Sequence, residues 1–380
     1  MTEKKVSLYI HIPFCAAFCD YCDFFSIKTT GNSDAVMDAY IKSVIDDVKY
    51  QIDFFNVDKI STAYIGGGTP SVLGERRIRI LLDALKSFPE FTPEEFTIEA
   101  NPESVSEGFL SACLDGGINR ISLGVQSFHE PSRKAVNRHG YADMLEKKLS
   151  LVSRFFPGAF SADLIAGLPF QTENVVLDDI KRLLVFKPAH VSLYSLLVED
   201  KTPLEQKIKS GEVTLPDRDE ADSIWLAGKD ALKKTGFDHY EVSNFALPGK
   251  RSLHNIAYWQ MESWLGAGSA SSGTIINEKT GTAKRFTFSH DIEAYIKTPS
   301  IHTAACEELG KMSLIKESLL MGFRFREGPD EKKFKRRFDC GIEDCIGQTL
   351  SKWKNRDTML FLNSFLCEAF TELESSRHLI

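Results

Sequence analysis

The sequence lacks the features that place a protein in a membrane or in a secretory pathway. None of its apolar runs approaches the ~20 residues that a membrane-spanning helix needs. No signal peptide precedes the first predicted strand, and there is no internal repeat or low-complexity linker. We therefore expect a soluble cytoplasmic protein that would meet a membrane only through its partner.

An excess of positive charge is lacking too. The 46 Lys and Arg residues are outnumbered by 53 Asp and Glu residues, which gives a formal net charge of −7. Proteins that bind nucleic acids usually carry a basic surface. The short basic run at residues 332–337 is most simply a solvated helix face, so we expect no nucleic-acid partner.

A disulfide framework is also missing. Of the eight cysteines, three lie in one loop and five are scattered along the chain. In a chain without a secretory signal, this usage is typical of a reducing compartment, where thiols stay free. Cys340 and Cys345 form a lone pair, which is more simply interpreted as packed or free thiols than as part of a metal site.

The three clustered cysteines form the pattern C-x-x-x-C-x-x-C directly after a predicted strand. Polar and apolar residues alternate over residues 7–12, and many of them favour β-structure. This pattern predicts a buried strand that Pro13 ends. The loop that follows carries Cys15, Cys19 and Cys22. Three thiolates at this spacing can hold a cubane iron–sulfur cluster and leave one iron open to a further ligand.

Three other interpretations of this loop remain open on spacing alone. A disulfide would suit a secreted chain, and the cysteines could also simply pack in the interior. A zinc site would need a fourth ligand, for which Asp20, Asp23 and His11 are available without a recognisable pattern.

Predicted strands and helices alternate over about the first 200 residues. After residues 7–12, the predicted strands are residues 59–65, 95–100, 120–125, 160–165 and 190–196, with a predicted helix between successive strands. Such alternation predicts right-handed crossovers and a parallel sheet. The six repeats favour an α/β fold built as a partial (β/α)6 TIM-type barrel rather than a closed barrel of eight.

Glycines and polar residues follow these predicted strands. The glycine-rich turn 66–70 comes after the second strand, and Glu99, Gln126 and Asp163 lie at or near the ends of the next three. Each alone is more often a turn former or a residue that fixes a loop. In a parallel barrel, the carboxyl ends of all strands face one mouth, so together these residues predict one binding site.

The order and spacing of these motifs resemble the radical S-adenosylmethionine (SAM) superfamily. Tyr9 stands six residues before the first cysteine, Tyr21 lies between the second and third, and the match extends to about Leu168. The resemblance implies that the three cysteines hold a 4Fe-4S cluster whose open iron binds SAM, and that one electron can cleave SAM to a 5′-deoxyadenosyl radical. The residues that it implies at the SAM site are Tyr9, Tyr21, Gly67, Gly68, Thr69, Glu99, Gln126, Arg138 and Asp163.

Two features narrow the resemblance to the branch that holds oxygen-independent coproporphyrinogen III oxidases and haem chaperones. The pattern H-N-x-x-Y-W at residues 254–259 is similar to the chaperones, and Phe24 stands where the oxidases carry a further cysteine. The chaperone resemblance implies haem as cargo, an apo-haemoprotein as acceptor, and an electron donor if SAM is cleaved. The alternatives are the oxidase and a related radical SAM enzyme, such as a methyltransferase or a haem-ring-opening enzyme.

For haem, the sequence offers only candidate contact residues. Tyr258, Trp259 and Trp264 would offer flat apolar surface to a porphyrin. His254 and His11 are candidate axial ligands, although a lone histidine is more often structural.

The resemblance also implies a domain order. We expect residues 1–235 to form the barrel with the cluster and SAM, and residues 236–300 to form an extension that carries the H-N-x-x-Y-W motif. Residues 301–380 are expected to form a small, mainly helical, winged-helix-like C-terminal domain.

Overall fold

The computed structural model describes residues 3–31 and 33–375. The strands in this part of the chain are β1 (Lys5–Ile12), β2 (Phe14–Cys15), β3 (Ile27–Lys28), β4 (Lys59–Gly67), β5 (Phe91–Ala100), β6 (Arg120–Gln126), β7 (Phe160–Ala166), β8 (His190–Ser195), β9 (Asp238–Glu241), β10 (Asn244–Ala246), β11 (Trp264–Ala267), β12 (Ser272–Asn277), β13 (Thr282–Thr287) and β14 (Ala305–Leu309). The α-helices are α1 (Ser33–Phe55), α2 (Gly74–Lys86), α3 (Glu107–Asp115), α4 (Glu130–Ala135), α5 (Ala142–Phe155), α6 (Glu173–Leu184), α7 (Pro203–Lys209), α8 (Arg218–Lys234), α9 (Leu253–Trp259), α10 (Ile292–Lys297), α11 (Lys311–Gly322), α12 (Glu331–Phe338), α13 (Ile342–Trp353) and α14 (Leu362–Ser375).

One mixed sheet forms the centre of the fold, and its middle strands are parallel. β1, β4, β5, β6, β7 and β8 lie next to one another in that order, which confirms the predicted repeats and the α/β class. β1 lies between β11 and β4, whereas β8 lies between β7 and β10. The barrel is therefore open, as the prediction of a partial barrel requires.

Side chains of β1 point alternately to the two faces of the sheet, and these faces differ in polarity. Leu8 and Ile10 are fully buried in the main hydrophobic core. Ser7, the residue before Leu8, points to the other face, where its Oγ accepts a hydrogen bond of 2.8 Å from Thr62 Oγ1 of β4. Because successive strand residues point to opposite faces, the helices cover an apolar outer face while the interior of the barrel is polar.

Residues after 236 extend both edges of the sheet. β10 is antiparallel to β8 and pairs in turn with antiparallel β9, whereas β11 is parallel to β1 and continues into antiparallel β12, β13 and β14. Helices α11 to α14 share a second hydrophobic cluster with Phe338 and Phe365 among its fully buried members. This confirms a mainly helical C-terminal part, while the boundaries at residues 235 and 300 stay a prediction. None of the described helices combines the length and the hydrophobicity needed to span a bilayer.

Helix α9, which carries the H-N-x-x-Y-W motif, packs into the barrel interior on the side where the strands begin. His254 contacts Thr62 of β4, and Glu95 of β5 accepts a hydrogen bond from the backbone N–H of His254. Just before the helix, the carbonyl oxygen of Lys250 accepts a hydrogen bond from Arg120, the first residue of β6. The motif thus closes the end of the barrel opposite to the carboxyl ends of the strands.

Arg133 in α4 is a buried cation that ties loops together near the mouth of the barrel. The residue is 1% exposed. Its guanidinium donates hydrogen bonds to the carbonyl oxygens of Val125 (2.6 Å), Ser127 (3.0 Å) and Gly140 (3.0 Å), and it forms an ion pair with Glu103. These bonds connect the end of β6 to the loop that follows α4.

We expect Arg133→Ala to lower the free energy of unfolding by about 3 kcal/mol, because the carbonyl groups and Glu103 would lose a buried cationic donor. Urea denaturation followed by circular dichroism measures the change. Arg154→Ala is the matched control, since Arg154 forms an exposed ion pair with Glu107 that contributes less than about 1 kcal/mol. Equal losses of stability in the two variants would contradict this role of Arg133.

Candidate functional site

A cavity of about 580 Å³ opens at the carboxyl ends of the parallel strands. The three clustered cysteines line it together with eight of the nine residues predicted for SAM binding, which are Tyr21, Gly67, Gly68, Thr69, Glu99, Gln126, Arg138 and Asp163. Tyr9 lies behind the wall, where its hydroxyl meets His11 Nδ1 at 3.0 Å and its ring stacks on Tyr64. Their roles in cofactor binding stay a prediction, but the fold brings these residues to one place.

The cysteine loop is attached to the barrel by its own backbone. β2 ends at Cys15 and pairs in parallel with β3, and the backbone N–H of Asp20 donates to the carbonyl oxygen of Val136 at 3.0 Å. Thr69 Oγ1 lies 3.5 Å from Cys15 Sγ, and Arg138 Nη1 donates to Cys19 Sγ at 3.4 Å. These contacts hold two of the three sulfur atoms at the cavity.

The donor set fits an iron–sulfur cluster better than a zinc ion. In residues 3–31 and 33–375, no three His, Cys, Asp or Glu side chains converge closely enough to hold a single metal ion. A cubane cluster binds each thiolate through a different iron, so its ligands lie farther apart than those of a mononuclear zinc site. Three sulfur donors in one loop also match the ligand preference of iron–sulfur clusters.

Two of the residues considered as a fourth zinc ligand have other partners. The carboxylate of Asp20 forms an ion pair with Lys207 Nζ at 2.8 Å. Both ring nitrogens of His11 are engaged, Nδ1 with the hydroxyl of Tyr9 and Nε2 with the carbonyl oxygen of Phe25 at 2.9 Å. A zinc site would have to break these contacts.

The glycine-rich turn after β4 needs glycine because it packs closely on the stem of the cysteine loop. Gly67 has a φ of +110°, and a Cβ there would lie 2.6 Å from the ring of His11. A Cβ on Gly68 would lie 2.8 Å from the carbonyl oxygen of Phe14. A side chain at Gly67 would displace the ring of His11, and one at Gly68 would displace the backbone at Phe14, just before the first cysteine.

Two carboxyl groups face the cavity from β5 and β7. Glu99 accepts hydrogen bonds from the hydroxyl of Tyr64 (2.7 Å) and the N–H of Gly67 (3.1 Å), and Asp163 accepts one from Ser122 Oγ (3.1 Å). Burial raises the pKa of Glu99 to about 7, against the lowering effect of the Tyr64 hydrogen bond and with a further increase from Asp163. Burial also raises the pKa of Asp163. A cationic ligand would offset the cost of two buried negative charges.

Arg138 provides the opposite charge on the same cavity. Its Nη2 donates to Asn101 Oδ1 at 2.8 Å and to the carbonyl oxygen of Gly124 at 2.6 Å. Within the described part of the chain, its buried Nε has no hydrogen-bond partner. Because an unpaired buried donor is costly, this atom is suited to an anionic group such as the carboxylate of a ligand.

Gln126 is held in an uncommon backbone conformation at the end of β6. Its φ is +68°, and the pairing of β6 with β7 shifts register between Gly124 and Gln126. Non-glycine residues seldom adopt positive φ, and such strain often accompanies functional sites. The register shift turns the side chain of Gln126 into the cavity wall.

Three further polar residues, which the sequence did not single out, line the cavity. Asn101 follows Glu99 by two positions, and its Nδ2 donates to Thr69 Oγ1 at 3.0 Å. Ser122 and Tyr194 also line the cavity, from β6 and β8. Their alternation with buried apolar residues in the same strands was the available signal.

The residues considered for haem lie apart from the cavity-lining set. His254 is 1% exposed and Trp259 is 7% exposed. The ring of Tyr258 packs on Trp264 with centroids 4.7 Å apart and on His254 with centroids 5.0 Å apart. The idea that this group receives a porphyrin stays a prediction, and it would require α9 to move.

We expect replacement of Cys15, Cys19 and Cys22 by Ala to abolish iron binding after anaerobic reconstitution, because all three thiolates of the proposed cluster are then missing. Iron and sulfide analysis, with the visible absorption spectrum, measures the loss. The control replaces the exposed Cys306 and Cys367 by Ala and should keep the iron. About four irons per chain in the triple variant would refute the cluster assignment.

We expect the SAM affinity of the reconstituted protein to rise roughly tenfold from pH 6 to pH 8, because Glu99, with a pKa of about 7, loses its proton there and becomes a better acceptor. Glu99→Gln should remove this step. Glu94→Gln is the control, since Glu94 lies on the same strand with an exposed side chain. Anaerobic isothermal titration calorimetry gives the affinities, and an unaltered pH profile in Glu99→Gln would exclude Glu99 from the site.

Comparison with known proteins agrees with this geometry. Residues 9–183 match the family model of the Radical SAM superfamily. The chain is 36% identical over 359 residues to "Heme chaperone HemW" of Lactococcus lactis, an alignment that covers 94% of this chain and 91% of that protein. It is 31% identical over 352 residues to "Heme chaperone HemW" of Bacillus subtilis, with 90% of each chain covered.

A solved structure shows the same fold. The coproporphyrinogen III oxidase HemN of Escherichia coli, described as a radical SAM enzyme, superimposes with a TM-score of 0.79 at 21% sequence identity, over 97% of this chain and 90% of that one. At this identity the likeness concerns the fold alone. The family follows from the sequence relatives, and the chain belongs to the HemW family of the radical SAM superfamily.

Proposed function

We propose that this protein is a haem chaperone that binds haem, a 4Fe-4S cluster and SAM and transfers the haem to an apo-haemoprotein. The observation that carries the proposal is the similarity to proteins named haem chaperones over nearly the whole chain. We place the protein in the cytoplasm, with haem and an acceptor haemoprotein as its partners and an electron donor if SAM is cleaved.

In this proposal, different walls of the cavity bind the cluster and SAM. Cys15, Cys19 and Cys22 hold the cluster, which supplies an electron for cleavage of SAM when both are bound. Arg138 binds the carboxylate of SAM through its free Nε. Glu99 accepts a hydrogen bond from the amino group or the ribose, and its negative charge favours the cationic cofactor.

Exposed apolar side chains at the cavity mouth support a porphyrin as the further ligand. Phe24 is 67% exposed and Leu197 is 71% exposed, and both line the cavity beside the half-exposed Phe18 and Tyr194. Flat aromatic and aliphatic surface of this kind is normally covered by a partner or ligand. A porphyrin face would cover it while the propionates stay in water.

The second candidate is the oxygen-independent coproporphyrinogen III oxidase, the enzyme of the branch that the sequence resembles. The fold and the SAM site would serve either function. Phe24 is the distinguishing residue, because the oxidases that this chain resembles carry a further cysteine there, and its ring stands at the mouth of the cavity. A related radical SAM methyltransferase would share the same cofactors.

We expect the reconstituted protein to bind haem with a Soret band and to pass it to an acceptor by direct contact. Stopped-flow absorbance with an apo-haemoprotein in increasing excess measures the transfer. Direct transfer predicts a rate that rises with acceptor concentration, whereas passive dissociation of haem gives a rate independent of it. Incubation with coproporphyrinogen III, SAM and reductant should give no vinyl product.

Two results would contradict the proposal. Formation of the decarboxylated vinyl product would assign the protein to the oxidases. A transfer rate that does not change with acceptor concentration would reduce the protein to a haem-binding protein without chaperone activity. Haem-free protein mixed with the same acceptor is the control for absorbance changes that do not depend on haem.

A further inference from the structure

Helix α9 is fixed to the barrel by a carboxylate from the sheet. Glu95 Oε1 accepts hydrogen bonds from Ser252 Oγ (3.1 Å) and from the backbone N–H of His254 (3.0 Å), and its Oε2 accepts one from the N–H of Leu253 (2.9 Å). The first N–H groups of a helix have no partner within the helix, and a carboxylate there also interacts favourably with the helix dipole. Glu95 therefore holds the start of α9 in one position relative to β5.

The imidazole of His254 is fixed in one tautomer by its neighbours. Thr62 Oγ1 donates to Ser7 Oγ at 2.8 Å, so it must accept the hydrogen bond that joins it to His254 Nδ1 at 2.9 Å. Nδ1 thus carries the proton, and burial lowers the pKa of the ring to about 3. His254 is neutral at every pH at which the protein would work.

Tyr64 connects this histidine to the cavity. Its ring stacks on His254 with centroids 5.2 Å apart and an interplanar angle of 29°, and on Tyr9 with centroids 6.3 Å apart at 30°. Its hydroxyl donates to Glu99 Oε1 at 2.7 Å. Tyr64 thus lies between His254 of the H-N-x-x-Y-W helix and the Glu99 carboxylate that faces the proposed SAM site.

We propose that His254 is a positioning residue for the SAM site, which holds the ring of Tyr64 so that the Tyr64 hydroxyl keeps Glu99 ionised and correctly oriented. This inference rests on the proposed binding of SAM in the cavity. It gives the H-N-x-x-Y-W motif a role at the opposite end of the barrel from the helix that carries it. The imidazole acts through ring contact with Tyr64, without contact to SAM.

The groups that face Glu99 determine how its protonation responds to pH. They are the phenols of Tyr9, Tyr64 and Tyr194, the N–H of Gly67 and the carboxyl of Asp163. Burial of the hydroxyl raises the pKa of all three phenols above the ordinary tyrosine value, although the ring of Tyr194 is half-exposed, so they stay neutral between pH 6 and pH 8. Asp163 accepts a hydrogen bond from Ser122 and faces Arg138 across the cavity. None of the substitutions below replaces these three residues, so the effect of Asp163 on Glu99 is the same in every variant.

The test follows the pH at which SAM affinity reaches half of its maximum in anaerobically reconstituted holoprotein. Tyr64→Phe removes the hydrogen bond to Glu99 and should raise this midpoint by about one pH unit, because the ionised carboxylate loses a donor. His254→Ala should raise it by a similar amount because Tyr64 loses its support. His254 itself carries no charge in this range, so its removal cannot shift the midpoint directly.

Two further variants separate ring contact from the hydrogen bond to Thr62. His254→Phe keeps a flat ring beside Tyr64 and should retain the wild-type midpoint. His254→Gln keeps a hydrogen-bond donor but no ring and should show the same shift as His254→Ala. If His254→Ala does not fold, this pair still decides the question. Trp259→Leu is the control for loosening of α9, since Trp259 packs on Tyr240 and Phe325 and not on Tyr64.

Three results would overturn the inference. A wild-type midpoint in His254→Ala and His254→Gln, together with a shifted midpoint in Tyr64→Phe, would leave His254 without a positioning role. An equal shift in Trp259→Leu would reduce the effect to general loosening of the helix. An unchanged profile in both Tyr64→Phe and Glu99→Gln would instead show that SAM binds elsewhere, and the proposed cofactor site would fail.

Discussion

A buried polar side chain is costly unless it finds a partner, and the interior of this barrel is made of such side chains. His190 Nδ1 meets Ser161 Oγ at 2.8 Å and its Nε2 meets the hydroxyl of Tyr240 at 2.8 Å, while Tyr64 bonds to Glu99 near the mouth. These bonds join strands and loops that are far apart in the sequence. The cavity and helix α9 are therefore two ends of one connected interior, and a change at either end affects the partners available at the other.

The parts of the fold that depend on local pattern were predictable. Alternation of strand and helix along the chain gave the six parallel strands, and the rule that their carboxyl ends share one mouth brought Glu99, Gln126 and Asp163 together. The spacing of the cysteines placed them in one loop at that mouth. Such features follow from periodicity and turn chemistry within a few tens of residues, which a sequence displays directly.

The remaining features depend on contacts between distant parts of the chain. Nothing near His254 shows that it meets Thr62 and Tyr64, or that Glu95 receives the start of its helix. A pattern typical of haem chaperones suggested a porphyrin surface, yet the structure buries His254 among protein rings. Motif identity and motif role are thus separate questions, because the first concerns sequence and the second concerns the partners that the fold supplies.

The pairing of β1 with β11 has a consequence for biosynthesis. Residues 7–10 complete their central position in the sheet only against residues 264–267. At the usual rate of translation the ribosome needs roughly 10 to 50 seconds to make the intervening chain, so this pairing forms late in synthesis. The thiols of the N-terminal loop are made before the residues of their cavity walls, which extend to Pro203. A chain that has not yet been translated to residue 267 therefore carries the cysteine loop on a strand that lacks one of its two neighbours.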